Sequence, residues 1–360
     1  MQVVLGPDRS RLEPDRRKAG ERTGPTALHP ATTEGQEKMT RKIAVIVGCG
    51  IMGSDVAAIF LSQGWDVQAV ARDETKWDAV RARVARAVQQ LDSRGTVGTL
   101  RLVTDIRDLA WSGVQFGLET VPEDFEAKRK LFAELDRLVP PQIPLLTNTS
   151  GLRISEIARD CATRERMGGL HFFLPAHLVP AVEVVRGELT QAWVIDRLSN
   201  ILRSVDRIPI RVEKDVPGFL ANRIQHALMR EAFAVIDEGL ARPEDVDAAV
   251  RFGFGFRYVA AGPILQKELS GLDTQLAAGR SIYPALNTAS KPSRVLTELV
   301  ASGHYGTKTG QGFWKWTPEG IAAEQQRFER ALIAAVKLLK EDGQGTNHIP
   351  VEPNSGGATK

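Results

Sequence analysis

The chain has 360 residues, of which 42% are hydrophobic and 25% charged, as in a soluble globular protein long enough for two domains. The formal net charge of +3 is too small to indicate a nucleic acid or a membrane surface as partner, and no apolar run approaches the length of a membrane span. The two cysteines, Cys49 and Cys161, exclude a disulfide framework or a cysteine metal cluster and favour a reducing cytoplasm.

The two ends of the chain differ in composition from its middle. Residues 1–40 mix basic and acidic residues with four prolines and show no apolar periodicity, which predicts a disordered extension. Acidic residues inside this segment are atypical of a transit peptide. Met39 stands directly before the first apolar run, and we expect translation to begin there. Residues 342–360 predict a disordered tail.

A dinucleotide-binding turn is predicted at residues 42–64. The β-branched run 43–47 is typical of a strand buried on both faces of a parallel sheet. In the following GCGIMG, the first glycine permits a tight turn, the second lets the backbone approach a pyrophosphate, and the third lets the next helix pack on the strand. Glycines alone would also suit a structural turn, but the strand and helix around them favour a dinucleotide site. The predicted contacts are Gly48, Gly50, Ile51, Met52 and Gly53.

The end of the second predicted strand bears on the choice between NAD and NADP. NAD-specific domains place an acidic residue on the adenosine ribose about 20 residues after the glycines. This chain has Ala71 there, followed by Arg72 and Asp73. An arginine beside a missing carboxylate favours a 2′-phosphate. Alternatively, Arg72 is a solvated charge and Asp73 caps the next helix, so the cofactor is predicted as NAD or NADP.

Apolar runs alternate with helical patterns from residue 42 to about residue 212, which predicts the α/β class with a doubly wound sheet. The predicted strands after the first are 66–71, 100–104, 114–121, 145–150, 166–173 and 181–187, and the predicted helices between them are 73–93, 123–139 and 155–162. Later helical patterns cover 217–240, 243–254, 264–276, 292–302 and 318–339. We therefore predict a Rossmann-type NAD(P)-binding domain over 41–212, followed by a mostly α-helical domain over 213–341.

His171 and Glu183 are the residues most suited to acid–base chemistry. They lie on two strand patterns that predict a hairpin, and a midpoint at His177 places them opposite each other, since each is six residues away. A carboxylate fixes the tautomer and orientation of an imidazole, which makes a general base. An isolated histidine in an apolar strand would more often be structural, but the glutamate partner favours catalysis.

A polar strand end, TNTS at 147–150, lies on the side of the sheet where doubly wound domains bind ligands. Ser150 and Asn148 can therefore hydrogen-bond a substrate or the nicotinamide. Turn and capping roles are the alternative for both residues.

Six motifs occur in one order along the chain: GCGIMG, ETVPEDFEAK, NTSGLRISEIA, GLHFFLP with VEVV, KDVPGFLANR and GTKTGQGFW. From about Arg41 to Trp316 the chain thereby resembles the 3-hydroxyacyl-CoA dehydrogenases. The resemblance implies reversible oxidation of a 3-hydroxyl by a nicotinamide dinucleotide, a place in fatty acid metabolism, and a homodimer formed through the helical domain. It implies that His171 and Glu183 form a catalytic dyad. The other implied site residues are Ser150 and Asn222 at the reacting oxygen, and Glu123, Lys128 and Lys308 at the cofactor.

The chain departs from this family's pattern in its substrate region. The family usually has asparagine after HFF, where this chain has Leu174, and members that handle acyl-CoA have a longer segment before ETVPED, with a helical hairpin that grips CoA. FGFGFRYVAAGP looks more like relatives that oxidise small free hydroxy acids, such as gulonate, carnitine or a pyridine carboxylate of vitamin B6 breakdown. Arg230 or Arg257 would pair with such a carboxylate; alternatively, either arginine bridges the domains.

The sequence leaves the substrate open between a 3-hydroxyacyl-CoA and a small free 3-hydroxy acid. A non-catalytic dinucleotide-binding protein with a structural or sensing role is the alternative that Leu174 favours. Nucleic-acid binding through residues 1–40 is disfavoured because acidic residues interrupt the basic ones. We therefore expect a small-molecule partner, no nucleic acid, no membrane and no metal.

Overall fold

The structure of this chain is a computed structural model that describes residues 41–93 and 95–341. The disorder predicted for residues 1–40 and 342–360, and the expected start at Met39, lie outside that range. Among the helices it describes, none combines the length and apolar character needed to cross a membrane.

Eight strands form one sheet. Their bounds are β1 Ile43–Val47, β2 Asp66–Val70, β3 Leu100–Val103, β4 Val114–Glu119, β5 Leu145–Thr147, β6 Met167–Phe172, β7 Ala181–Val185 and β8 Ile208–Val212. The strand order is β3-β2-β1-β4-β5-β6-β7-β8. The first six strands run parallel, β7 is antiparallel to β6, and β8 is parallel to β7. This order has the chain reversal between β1 and β4 that creates a ligand crevice in doubly wound sheets, and it confirms the predicted Rossmann-type fold.

Helices cover both faces of this sheet. They are α1 Ile51–Ser62, α2 Trp77–Gln89, α3 Phe125–Leu138, α4 Ile154–Ile157 and α5 Ala192–Ser204. Side chains of α1, α2 and α5 form one buried cluster, and those of α3 and α4 form another. Alternate residues of β1 belong to the two clusters: Ala44 and Ile46 to the first, Val45 and Val47 to the second. The prediction of a strand buried on both faces is thereby confirmed.

The described chain after β8 is mostly helical, with two isolated β-bridges among residues 306–315. Its helices are α6 Ala221–Asp237, α7 Pro243–Ala248, α8 Pro263–Ser270, α9 Leu272–Ile282, α10 Arg294–Ala301 and α11 Pro318–Glu341. The prediction of one helix over 264–276 is wrong, because Gly271 adopts φ 92° and separates two helices. The helix predicted from residue 217 begins at Ala221, since Gly218 and Phe219 have φ 77° and 46°. The helix predicted over 243–254 is regular only to Ala248.

The sheet region and the helical region differ strongly in burial. Strand β1 is nearly inaccessible, whereas only Ala234 and Gly279 are buried among the described residues from 221 to 341. Large apolar side chains such as Leu240 and Ile264 are 71% and 77% exposed. Exposed apolar surface on this scale is typical of a face that another protein surface covers.

Candidate active site

The turn after β1 has the shape that a pyrophosphate requires. Gly48 adopts φ 105°, and a Cβ on Gly53 would lie 1.9 Å from the carbonyl oxygen of Gly48, so neither position accommodates a side chain. A Cβ on Gly50 would meet nothing within 4 Å, which leaves open space in front of the backbone. No side chain caps the start of α1, and its first turn has no acidic residue. The N–H groups at Ile51 and Met52 therefore begin a helix that fits an anion.

The end of β2 does not carry an acidic side chain free for a ribose. Both backbone polar groups of Ala71 are hydrogen-bonded: its N–H donates to the Val103 carbonyl oxygen, and its carbonyl oxygen accepts from Trp77 Nε1. Asp73 caps the following turn by accepting from the Thr75 N–H at 3.2 Å, as the capping alternative predicted. Arg72 is exposed. This edge therefore leaves the choice between NAD and NADP open.

The predicted hairpin pairs His171 with Glu183 directly across β6 and β7. His171 Nδ1 lies 2.7 Å from Glu183 Oε2, and the two residues are 4% and 0% exposed. Because a carboxylate only accepts hydrogen bonds, this contact places the proton of a neutral imidazole on Nδ1 and leaves Nε2 with a lone pair. The pair therefore has the arrangement of a base and its orienting carboxylate, as the sequence predicted.

The start of α6 holds the other oxygen of this carboxylate. Glu183 Oε1 accepts from the N–H groups of Leu220 at 3.1 Å and Ala221 at 2.7 Å. Burial acts to raise the pKa of Glu183, but the hydrogen bonds from His171 and from these two N–H groups outweigh it, and the pKa lies below its ordinary value. The carboxylate therefore stays charged and ties the first helix of the helical region to the dyad.

Ser150 and Asn222 lie together beside this arrangement. Asn222 Nδ2 donates to the carbonyl oxygen of Ser150 at 3.1 Å, and Ser150 is exposed at the end of the TNTS segment. Glu123 holds that segment from the other side: its Oε1 accepts from Thr149 Oγ1 at 2.6 Å and from the Ser150 N–H at 2.9 Å. These contacts hold the backbone of Ser150 in place, and with it the Ser150 hydroxyl. The Asn222 side chain is held through one of its two N–H groups, and the other N–H is left for a ligand.

Lys128 is buried. Its side chain is 1% exposed, and Nζ donates to both oxygens of Glu119 at 2.7 and 2.9 Å and lies 3.4 Å from Glu123 Oε2. Thr147 donates a further short hydrogen bond to Glu119. The cofactor contact that the resemblance implies for Lys128 stays a prediction. In this arrangement the ammonium group of Lys128 lies close enough to Glu123 to attract its carboxylate.

Within the part of the chain that it describes, the structure shows no hydrogen bond or ion pair between the remaining predicted residues and the His171–Glu183 pair. Arg230, Arg257 and Lys308 are exposed in the helical region, and their proposed contacts stay predictions. Leu174 is 61% exposed in the loop after β6. Asn148, predicted to face a ligand, uses its side-chain oxygen to accept from the Phe172 N–H at 2.9 Å and so joins β5 to β6.

Sequence reasoning missed the two N–H groups that bind Glu183. Gly218 and Phe219 turn the chain immediately before α6, so that the helix N-terminus points at the carboxylate. The Pro-Gly pair at 217–218 is a turn signal that marks such a reversal. It does not reveal which distant residue the helix then meets.

Comparisons with known proteins agree with this geometry. The family model described as "3-hydroxyacyl-CoA dehydrogenase, NAD binding domain" matches residues 42–216, and the one described as "3-hydroxyacyl-CoA dehydrogenase, C-terminal domain" matches residues 218–316. Together the two models account for the glycine turn, the dyad and the start of α6.

Two relatives and one solved structure show the range of similarity. The chain is 33% identical over 310 residues to 5-formyl-3-hydroxy-2-methylpyridine 4-carboxylate 5-dehydrogenase of Mesorhizobium japonicum, a match that covers 84% of this chain and 99% of the relative. It is 34% identical over 325 residues to 3-hydroxyadipyl-CoA dehydrogenase of Escherichia coli, covering 88% of this chain and 65% of the relative. A crystal structure of 5-formyl-3-hydroxy-2-methylpyridine 4-carboxylic acid 5-dehydrogenase, described as an NAD⁺-dependent dismutase, superposes with a TM-score of 0.78 at 30% identity, covering 85% of this chain and 100% of that one.

These matches run through the sheet region and into the helical region, and they exclude a chance likeness of the glycine turn alone. They also favour an enzyme over a protein that only binds a dinucleotide, since both family models and both relatives are named as dehydrogenases. The chain is an NAD(P)-dependent oxidoreductase and belongs to the 3-hydroxyacyl-CoA dehydrogenase family.

Proposed function

We propose that the chain oxidises the hydroxyl group of a small free hydroxy acid, with His171 as general base. The observation that carries the base assignment is the 2.7 Å contact that orients His171, with Glu183 held in turn by two backbone N–H groups. A nicotinamide dinucleotide bound at the glycine turn would supply the hydride acceptor. Nε2 of His171 takes the hydroxyl proton, and Glu183 stabilises the charged imidazole that results.

Ser150 and Asn222 are proposed to hold the reacting oxygen. Support comes from the hydrogen bond between Asn222 Nδ2 and the Ser150 carbonyl, which leaves the Ser150 hydroxyl and one N–H of Asn222 for a substrate. Glu123 fixes the backbone of Ser150, so we assign it the role of positioning this loop beside the cofactor.

The preference for a free acid over a CoA thioester rests on the segment between β2 and the ETVPED motif. That segment contains one α-helix, α2, whose Val80 and Val84 are buried against the sheet region. The described residues of this segment, all but residue 94, contain no second α-helix to form the hairpin that the resemblance associates with CoA. The full-length match to an enzyme named for a pyridine carboxylate supports the same preference. A role in fatty acid metabolism would follow only if the CoA thioester were preferred.

Arg230 is the first candidate for the substrate carboxylate. It follows Asn222 by eight residues on α6, which places it about 12 Å farther along the same broad face of the helix. Arg257 is the second candidate. Either guanidinium would pair with a carboxylate through two parallel hydrogen bonds.

The deciding experiment follows nicotinamide absorbance with NAD and with NADP. The substrates are 3-hydroxybutyryl-CoA, 3-hydroxybutyrate, L-gulonate, L-carnitine and a hydroxymethyl pyridine carboxylate. We expect turnover on a free acid with a kcat/KM above that on the thioester. Arg230→Gln should raise KM by about tenfold or more with kcat preserved, whereas the exposed control Arg242→Gln should leave both unchanged. Preferential turnover of the thioester, unaffected by Arg230→Gln and Arg257→Gln, would contradict the free-acid proposal.

We also propose that the helical part, which we assign to residues 213–341, forms a homodimer. The exposed apolar side chains of α8 and α9, including Ile264 at 77% and Leu276 at 58%, support this assignment. Light scattering should give twice the 39.4 kDa of one chain, and Ile264→Asp should shift the mass towards one chain. A monomer at all concentrations would contradict the dimer.

A cytoplasmic location is proposed on the two free cysteines. Burial raises the pKa of both Cys49 and Cys161 to about 12, so neither thiol is poised for exchange. Recovery of the protein in the cytosolic fraction, with both thiols reduced, is the expected result.

A further inference from the structure

A cavity of about 370 Å³ lies at the end of α1 opposite to the glycine turn. Ser62 and Gln63, at the last turn of α1, line it, whereas Gly50 precedes the first turn. The two ends are about 18 Å apart, because α1 has 12 residues and an α-helix rises about 1.5 Å per residue. Ile333 and Val336 of α11 contribute another wall. This cavity is therefore separate from the dinucleotide turn, and its volume is within the range of small-molecule sites.

Arg207 is a buried cation in this cavity. Its side chain is 7% exposed, and Nη2 donates to the carbonyl oxygen of His177 at 2.9 Å. Nε has no hydrogen-bond partner among residues 41–93 and 95–341. Burial lowers the pKa of this guanidinium to about 10, against the opposing effect of Asp206. A buried cation with few partners is costly to keep, and an anion in the cavity that Arg207 lines would offset that cost.

The lining favours one class of anion. A guanidinium offers two adjacent N–H groups, whose spacing matches the two oxygens of a carboxylate. Leu178 and Val336 give the cavity apolar walls, which suit a hydrocarbon body. Arg203, Lys337 and Lys340 also line the cavity, with Asp92 and Asp206, so its charges favour an anion, and the apolar walls favour an anion with a hydrocarbon body over inorganic phosphate. The match is to a single carboxylate that carries an apolar chain.

We propose that this cavity is a second ligand site, in which Arg207 binds the carboxylate of an amphipathic carboxylic acid whose hydrocarbon chain packs against α11. The ligand lies against the loop that joins β6 to β7, because His177 of that loop is bonded to Arg207 and lines the same cavity. It does not enter the His171–Glu183 pair. The proposal is independent of the proposed function, since binding is measured without turnover.

The test is calorimetric titration of the full chain, saturated with NAD, with decanoate, 1-decanol and inorganic phosphate. Decanoate should bind with a Kd below about 1 mM, and the alcohol and phosphate should each bind at least about tenfold more weakly. Arg207→Leu should weaken decanoate binding by about tenfold or more. Val336→Trp, which keeps Arg207 and fills the cavity from α11, should do the same. Arg211→Leu, on the exposed part of β8 and paired with Asp196, is the matched control and should bind decanoate normally.

Each other outcome overturns the proposal. Unchanged decanoate affinity in Val336→Trp would place the ligand elsewhere, even if Arg207→Leu failed to fold. If 1-decanol bound as tightly as decanoate, Arg207 would not contribute to binding through the carboxylate. If inorganic phosphate bound as tightly as decanoate, the apolar wall would not contribute to binding. If a hydroxy acid that is a substrate displaced decanoate, decanoate would be bound at the His171–Glu183 site. If decanoate did not bind at about 1 mM, the chain would have no second site for it.

Discussion

Two completely buried carboxylates in this sheet have opposite electrostatic character. Glu119 ends β4 and Glu183 lies in β7, and both are 0% exposed. Burial raises the pKa of Glu119 by more than Lys128, Thr147 and the Val121 N–H lower it. At Glu183 burial acts in the same direction, but the contacts with His171 and the start of α6 outweigh it and lower the pKa.

The difference between the two sites comes from the partners of each carboxylate. Glu119 faces an ammonium group that is itself buried and that also lies near the carboxylate of Glu123. Glu183 faces an imidazole whose second nitrogen is left for chemistry, and it binds a helix from the other region of the molecule. Equal burial therefore accompanies a buried ion pair at one site and, at the other, the carboxylate that we propose orients a general base.

The largest expected effect is the fall in kcat when His171, the partner of Glu183, is replaced. His171→Gln should lower kcat by about 10²–10⁴-fold, because the hydroxyl proton then has no base to accept it. Steady-state turnover of the preferred hydroxy acid measures this, with binding of reduced cofactor as evidence that the fold is kept. His226→Gln, at an exposed position on α6, is the control and should turn over normally. Near-normal turnover of His171→Gln would refute the base assignment.

The next effect is on stability at the other site. Lys128→Met should lower the free energy of unfolding by about 3–5 kcal/mol, because it leaves Glu119 buried without its counter-charge. Urea unfolding measures this loss. The neighbouring control Arg129→Met, which breaks a partly exposed pair with Glu126, should cost about 0–1 kcal/mol. A variant of wild-type stability that no longer binds the cofactor would instead support the direct contact that the family resemblance implies for Lys128.

The sequence predicted the parts of this comparison that follow from periodicity and symmetric spacing. The strands were predictable because a parallel strand that is buried on both faces appears in the sequence as a short run of apolar residues. The pairing of His171 with Glu183 was predictable because residues equally distant from the midpoint of a hairpin lie opposite each other. The motifs then supplied the family.

Long-range packing could not be predicted in the same way. In the sequence, Lys128 is one of several charged residues of α3. It is buried because α3 packs next to the end of β4, where Glu119 lies. The role of the Leu220 and Ala221 N–H groups depends on a turn that brings α6 against β7. Elements α5 and β8 were not assigned individually from the sequence, so the cavity around Arg207, between β8 and α11, could not be foreseen.

A smaller effect is expected when Glu183 loses its charge. Glu183→Gln keeps an oxygen for the N–H groups of Ala221 and Leu220, but it presents an amide to His171 and no longer fixes the productive tautomer. The lost charge-assisted hydrogen bond corresponds to a fall in kcat of about tenfold to a hundredfold. Glu119→Gln is the comparison and should change kcat much less, since Glu119 does not contact the imidazole. Equal losses in the two variants would mean that neither carboxylate acts through His171.

The smallest effect is a pH dependence of stability that belongs to Glu183 alone. Because its pKa in the folded protein is below the ordinary 4.5, the ionised carboxylate contributes stability that is fully present above about pH 4.5 and is lost as the pH falls through the folded value. The difference in unfolding free energy between the wild type and Glu183→Gln should shrink as the pH falls below about 4.5. Asp66 and Asp136 also have lowered pKa values, but both are present in the two proteins and cancel in the difference. Urea unfolding at a series of pH values measures this difference; one that grew as the pH fell would mean that the pKa of Glu183 is raised, not lowered, in the folded protein.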